Sequence, residues 1–170
     1  MDIRILGAFL IIAGCGIFGF TIAASYVYQE KCLKEFLNCL RFMRNDLEYR
    51  LTPLPELCRC TALQTKSLMR RFFTYLAQEL EDQIAPDAGY CVTAALNKVQ
   101  NLPDSVRNLI RNWGRELGRF DAAGQINSIE NSIGECSRLL EKINGNKESK
   151  IRNYKTLSLC AGAALAILFI

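Results

Sequence analysis

The most constraining feature of this sequence is an uncharged apolar run close to its start. Residues Ile5 to Ala24 read ILGAFLIIAGCGIFGFTIAA, with Thr21 as the one clearly polar side chain. As an α-helix rising about 1.5 Å per residue, the run covers about 30 Å, the thickness of a bilayer's hydrocarbon core. A helix satisfies its own backbone hydrogen bonds, so it can span lipid where a loop cannot. The sequence therefore predicts a transmembrane helix within residues 1–26.

Two other interpretations of this run are disfavoured. A secretory signal peptide has an apolar core of about 7–15 residues and a cleavage site of small residues. Ala23-Ala24-Ser25 would suit cleavage, but the apolar run before it is too long. A buried helix of a soluble protein is disfavoured because the run is apolar on every face. The remaining chain is therefore interpreted as a domain attached to a membrane.

A second apolar stretch, Leu157 to Ile170, ends the sequence. As a helix it is about 21 Å long, which is short for a span of about 20 residues. It can cross a locally thinned membrane or pack beside the first segment. We predict a C-terminal membrane segment over residues 156–170.

Basic residues beside the two segments predict the orientation of the region between them. Six lysines and arginines lie on that region's side: Lys31, Lys34, Lys147, Lys150, Arg152 and Lys155. The opposite side has only Arg4, which Asp2 opposes. The positive-inside rule therefore predicts a cytoplasmic domain over residues 27–155. The alternative is a bitopic membrane anchor or signalling adaptor with an extracytoplasmic helical domain.

The eight cysteines and the absence of histidine bound the chemistry of this chain. The cysteine spacing matches no zinc pattern, and most cysteines occupy apolar helical positions, which is typical of reduced, buried thiols. Without histidine the chain lacks the commonest general base and metal ligand. No paired carboxylates or glycine-rich phosphate loop occur either. We expect no enzyme activity, cofactor or metal.

Most of the net charge of +4 lies in residues 147–155, so it does not indicate nucleic-acid binding.

Apolar residues recur at helical spacing throughout the region between the two segments. The apolar stripe of the first helix consists of Leu33, Phe36, Leu37, Leu40, Met43 and Leu47, and that of the fifth consists of Val106, Leu109, Ile110, Trp113 and Leu117. Proline and glycine interrupt the pattern several times, and no stretch alternates as a strand would. The sequence therefore predicts an all-α fold, a bundle of about six helices. The first helix is expected to continue from the membrane to about Leu51, and the third to cover Thr65 to Glu81.

Several residues are predicted to begin or end these helices. The break at Thr52-Pro53-Leu54-Pro55 ends the first helix, and Thr52 is expected to cap the second, with Pro53 in its first position. Asp104 or Ser105 is expected to cap the fifth.

The last two helix boundaries are predicted from glycine and from capping residues. Gly118 is expected to end the fifth helix in a left-handed conformation, and Asp121 to cap the sixth. Asn144-Gly145-Asn146 is either a turn or a weak point in a continuous last helix.

Two motifs between the apolar segments resemble a known family. The first is Thr52 to Glu56, TPLPE; the second is Trp113 to Asp121, WGRELGRFD, with Gln125 following. In order and spacing the chain resembles stage III sporulation protein AB over nearly its whole length. The family pattern is an aromatic residue, Gly, two variable residues, Leu-Gly, then Asp and Gln. Here its positions are Trp113, Gly114, Leu117, Gly118, Asp121 and Gln125.

The resemblance implies a non-catalytic platform in the mother-cell membrane that faces the forespore. The family is similar to the inner-membrane platform protein of type II secretion and type IV pilus machines. It belongs to a secretion-like channel complex required for endospore development. Implied partners are other components of that complex and a cytoplasmic secretion-type ATPase, and the chain is a possible oligomer.

The candidate partner interface is a row of arginines on the predicted fifth helix. Arg107, Arg111 and Arg115 are four residues apart and share one face, whereas Arg119 lies beyond Gly118. Like charges at this spacing cost about 0.2–0.5 kcal/mol per pair in a helix. An acidic partner surface or anionic lipid headgroups would offset that cost, and the alternative is a solvated face. All three arginines are expected to be exposed.

Overall fold

The computed structural model describes the backbone of residues 3–82, 87–118 and 122–169. Side chains are described for residues 21, 24–82, 87–118, 123–145, 156 and 160. Within this part of the chain there are six helices and no strand, which confirms the all-α fold. The helices are α1 (Ile3–Tyr49), α2 (Leu54–Gln64), α3 (Ser67–Glu81), α4 (Ala88–Lys98), α5 (Asp104–Glu116) and α6 (Ala122–Phe169).

The chain divides into two compact units. One consists of Gln29–Leu140, and the other of Met1–Tyr28 with Glu141–Ile170. Among the residues described, no helix has both the length and the apolarity needed to cross a membrane. The two membrane segments and the boundaries 1–26, 27–155 and 156–170 stay predictions from the sequence.

Two helices begin on a proline, not on the predicted caps. The N-cap of α2 is Pro53, with ψ of 143°, so Thr52 lies outside the helix. The N-cap of α5 is Pro103, with ψ of 141°, which makes Asp104 the first helical residue. The cap predictions at Thr52 and at Asp104 or Ser105 were therefore wrong. A cap residue needs extended ψ and a carbonyl that accepts the first helical bond, and proline supplies both.

The carbonyl groups of these two prolines accept the first helical bonds. The Leu57 N–H donates to the Pro53 carbonyl at 2.9 Å, and the Arg107 N–H donates to the Pro103 carbonyl at 2.9 Å. Each proline therefore begins a helix without a side-chain cap.

The ends of α5 and the course of α6 settle two further predictions. Gly118 follows α5 with φ of +75°, the left-handed conformation predicted for it. The helix α6 continues through Asn144 and Gly145, so this site is not a turn. Asp121, the predicted cap of the sixth helix, lies outside the described residues, as does Arg119.

The core of the Gln29–Leu140 unit is built around three aromatic rings from three helices. Phe36 of α1 and Phe73 of α3 meet Trp113 of α5 edge to face, with ring centroids 5.9 and 6.2 Å from that of Trp113. Such pairs stabilise a core beyond the area they bury. The Cys136 thiol of α6 donates to the Leu33 carbonyl of α1 at 3.4 Å, so the long helices are also joined.

Most described cysteines are buried in apolar surroundings, as predicted. Burial raises the pKa of the Cys39 thiol to about 12 and that of Cys136 to about 11. Cys58 and Cys91 are also buried, and burial raises the pKa of both thiols. These thiols therefore stay protonated at neutral pH and act as small hydrophobic side chains.

Candidate functional site

The helix α5 places its apolar side in the core. Its buried side chains recur at spacings of three and four residues: Val106, Leu109, Ile110 and Trp113. That periodicity leaves Arg107, Arg111 and Arg115 on other sides of the helix. The structure gives each of the three a different environment.

Arg107 is a structural residue because it closes the end of α4. Its guanidinium donates from Nη1 to the Leu96 carbonyl at 3.0 Å and from Nη2 to the Val99 carbonyl at 3.1 Å. Carbonyls at a helix C-terminus have no partner within the helix and carry partial negative charge. Arg107 is half-buried, so the expectation that it is exposed was wrong.

Arg111 and Arg115 remain available for contact. Arg111 is half-buried, contrary to the expected exposure, and donates to the Asn108 side-chain oxygen at 3.1 Å, while Arg115 is exposed as expected. Neither has a carboxylate within ion-pair distance among the described residues. Guanidinium groups in this state can bind carboxylates or phosphates through paired hydrogen bonds.

The acidic side chains of α5 do not neutralise these two arginines. The Glu116 carboxylate accepts a hydrogen bond from the Ser128 hydroxyl of α6 at 2.6 Å, and Asp104 lies at the opposite end of the helix. The C-terminal half of α5 therefore presents positive charge. We call Arg111 and Arg115 the arginine face.

The glycines of the second motif lie where α5 crosses α4. A Cβ built on Gly114 would lie 2.5 Å from Val92 Cγ1, so only glycine, which has no Cβ, fits at this position. A Cβ on Gly118 would lie 3.4 Å from the Ala88 Cβ. Leu117 is buried beside them and Gln125 is half-buried on α6. Gly114 therefore lets α4 and α5 approach closely, whereas Gly118 is required for its positive φ and not for space.

The first motif forms the connection from α1 to α2. Thr52, Leu54 and Pro55 are half-buried and Pro53 is exposed. Glu56 lies in the first turn of α2, where the helix dipole favours a carboxylate. Among the described contacts none joins this connection to the α4–α5 crossing.

A groove between α1 and α2 was not predicted from the sequence. It has a volume of about 620 Å³, and its lining includes Asp46, Tyr49, Cys60 and Leu63. The signal in the sequence is weak, because Tyr49 and Leu63 are apolar residues outside the core stripe. No group of side chains able to hold a metal ion occurs in the described part of the chain.

Comparisons with known proteins give one family. The sequence model of stage III sporulation protein AB matches residues 4–170. A solved structure described as stage III sporulation protein AB has a TM-score of 0.63 to this chain at 16% sequence identity. The match covers 72% of this chain and 98% of that one, and at this identity it supports the fold. A search of curated proteins found no match.

Proposed function

The chain belongs to the stage III sporulation protein AB family, and from that membership we propose that it is a non-catalytic platform in a secretion-like channel complex between mother cell and forespore. The observation that carries the proposal is the family match over residues 4–170. A role in sporulation follows from the family itself, which is not a known enzyme family. Assembly into a platform required for endospore development is the further step.

The proposed place of the chain is the mother-cell membrane that faces the forespore. The support is the uncharged run Ile5 to Ala24 on α1 and the apolar stretch Leu157 to Ile170, of which residues 157–169 belong to α6. Residues 1–26 and 156–170 would hold the chain in the bilayer, with residues 27–155 in the cytoplasm. The lysines and arginines beside both segments support that orientation.

The proposed partners are other components of the complex and a cytoplasmic secretion-type ATPase. The arginine face supports a contact with an acidic protein surface, since no carboxylate of the described residues lies within ion-pair distance of Arg111 or Arg115. A platform that holds several partners has no need of a catalytic group. The possible oligomer would place several arginine faces side by side.

Reversing the arginine face should weaken binding of the ATPase at least about tenfold, the equivalent of ~1.4 kcal/mol. The variant is Arg111→Glu with Arg115→Glu, and the measurement is a pull-down of the ATPase by the full chain in nanodiscs. Because exposed charges are screened over about 8 Å at physiological salt, wild-type binding should also weaken as salt rises. Arg107 is left unchanged, since its loss would open the end of α4.

A matched control reverses two exposed arginines elsewhere, Arg71→Glu with Arg138→Glu. It changes the net charge equally and should bind like the wild type. Both double variants should melt like the wild type, because surface changes usually alter stability by less than about 0.5 kcal/mol. Equal binding by the two double variants would show that the arginine face does not contact the ATPase.

A further inference from the structure

The groove between α1 and α2 has an apolar rim. Tyr49 is 81% exposed and Leu63 is 73% exposed, and both line the groove. Leu51, which follows the lining residue Arg50 in the chain, is 67% exposed and has φ of +52°, a conformation that leucine rarely adopts. Exposed apolar side chains gathered in one place mark interaction sites more often than scattered ones do. The rim is therefore suited to apolar side chains of another molecule.

A buried carboxylate lies in the wall of this groove. The Asp46 side chain is only 8% exposed, and its Oδ2 has no hydrogen-bond partner among the described residues. Its Oδ1 is 3.9 Å from Nη1 of Arg50, whose side chain is 79% exposed. A buried carboxylate oxygen is unfavourable without a donor, and this distant arginine does not supply one to Oδ2.

Cys60 lies in the same groove. Burial raises the pKa of the Cys60 thiol, the carboxylates of Glu56 and Asp46 raise it further, and the Arg50 guanidinium lowers it. The thiol also donates to Oε1 of Glu56 at 3.7 Å. Of the two charged residues in the lining, the Asp46 carboxylate is buried and the Arg50 guanidinium is exposed, so the buried charge of the groove is negative.

We propose that this groove binds a segment of another protein that carries a lysine or arginine between apolar side chains. The cationic group would donate to Asp46, and the apolar side chains would pack on Tyr49, Leu51 and Leu63. A groove between two helices suits an amphipathic helix, which presents such residues one turn apart. Arg50 turns toward solvent to admit the ligand, which its exposure allows.

This site is separate from the arginine face in position and in charge. The arginine face lies on α5 and selects an acidic surface, whereas the groove lies between α1 and α2 and selects a basic segment. The inference therefore goes beyond the proposed function. The proposal for the groove and the proposal for the arginine face can fail independently, since the variants that test them share no residue.

The test uses the full chain in lipid nanodiscs and a fluorescein-labelled peptide of about 16 residues, long enough to form a helix. The peptide has one lysine with a leucine one turn to each side, and a second peptide has glutamine in place of the lysine. Fluorescence anisotropy gives both affinities. The lysine peptide should bind at least about tenfold more tightly, because it makes a charge-assisted hydrogen bond to Asp46.

Two variants of the chain locate the binding. Asp46→Asn should weaken the lysine peptide about tenfold and remove the difference between the two peptides. Leu63→Ser should weaken both peptides. The matched controls are Glu48→Gln, an exposed acid on α1, and Tyr90→Ser, an exposed aromatic residue on α4, and both should bind like the wild type. Bound peptide should also slow alkylation of Cys60.

Equal affinity of the two peptides for the wild type would overturn the proposal, as would unchanged binding by Leu63→Ser. Neither result depends on Asp46→Asn, so both remain decisive if that variant fails to fold. A second copy of the chain is the other occupant to consider. A wild-type dimer that Leu63→Ser dissociates, with no peptide binding, would assign the groove to self-association and overturn the proposal.

Discussion

Replacing Trp113 by alanine is expected to lower the free energy of unfolding by about 3–5 kcal/mol, the usual cost of removing a buried large aromatic side chain. Trp113 is buried and contacts Phe36 of α1 and Phe73 of α3 edge to face. Its removal leaves a cavity where three helices meet. Urea unfolding of the full chain in nanodiscs, followed by circular dichroism, measures the loss.

The matched variant Trp113→Phe should cost much less, about 1–2 kcal/mol, because most of the ring volume stays. The indole Nε1 is buried, and in the described part of the chain it has no hydrogen-bond partner. Phenylalanine therefore removes an unsatisfied donor as well as some volume. A loss below about 1 kcal/mol for Trp113→Ala would mean that the core is not centred on this residue.

Gly114→Ala is expected to destabilise the domain by about 1–3 kcal/mol, as overpacking usually does. A Cβ at this position would lie 2.5 Å from Cγ1 and 2.7 Å from Cβ of Val92. The added methyl must therefore push α4 and α5 apart. Helix propensity alone favours alanine over glycine by about 1 kcal/mol, so a net loss isolates the close approach.

Gly134→Ala on α6 is the matched control. A Cβ there meets nothing within 4 Å, so the variant should gain about 0.5–1 kcal/mol. The double variant Gly114→Ala with Val92→Ala should be less destabilised than Gly114→Ala alone, because the second substitution removes the Val92 Cγ atoms that the new Cβ would overlap. Thermal melts of the variants measure these changes in stability. A Gly114→Ala protein more stable than the wild type would contradict the close crossing of α4 and α5.

The helices and their buried sides could be predicted from the sequence, because burial repeats with the period of the helix. Phe36, Leu40 and Trp113 occupy the predicted apolar stripes and are buried in the structure. Helix caps were harder to predict. Thr52 was predicted as the cap for its side-chain oxygen, whereas Pro53 occupies the N-cap position and α2 has no side-chain cap.

The candidate sites depend on distances between helices that no local pattern contains. The spacing of Arg107, Arg111 and Arg115 places them on α5, but the bonds from Arg107 to carbonyls at the end of α4 depend on tertiary packing. Asp46 is a similar case. It is next to Leu47 of the apolar stripe, yet the burial of its carboxylate in a groove follows from how α2 lies against α1.

The central claim, a membrane-held platform with its helical domain in the cytoplasm, is tested most directly by the accessibility of Cys60 in cells. Cys60 is partly exposed and Cys58 is buried, and trypsin cleavage after Arg59 places the two in separate peptides. The reagent is a membrane-impermeant maleimide, applied to intact and to permeabilised cells. Mass spectrometry of the chain from carbonate-washed membranes gives the labelled fraction of each peptide.

We predict that Cys60 is labelled only after permeabilisation, in chain that stays with the washed membranes. Cys58 should be labelled only after denaturation, which verifies that the domain is folded during the reaction. Labelling of Cys60 at the same rate in intact cells would place the domain outside the cytoplasm. Release of the chain by carbonate would show that it is not held in the membrane.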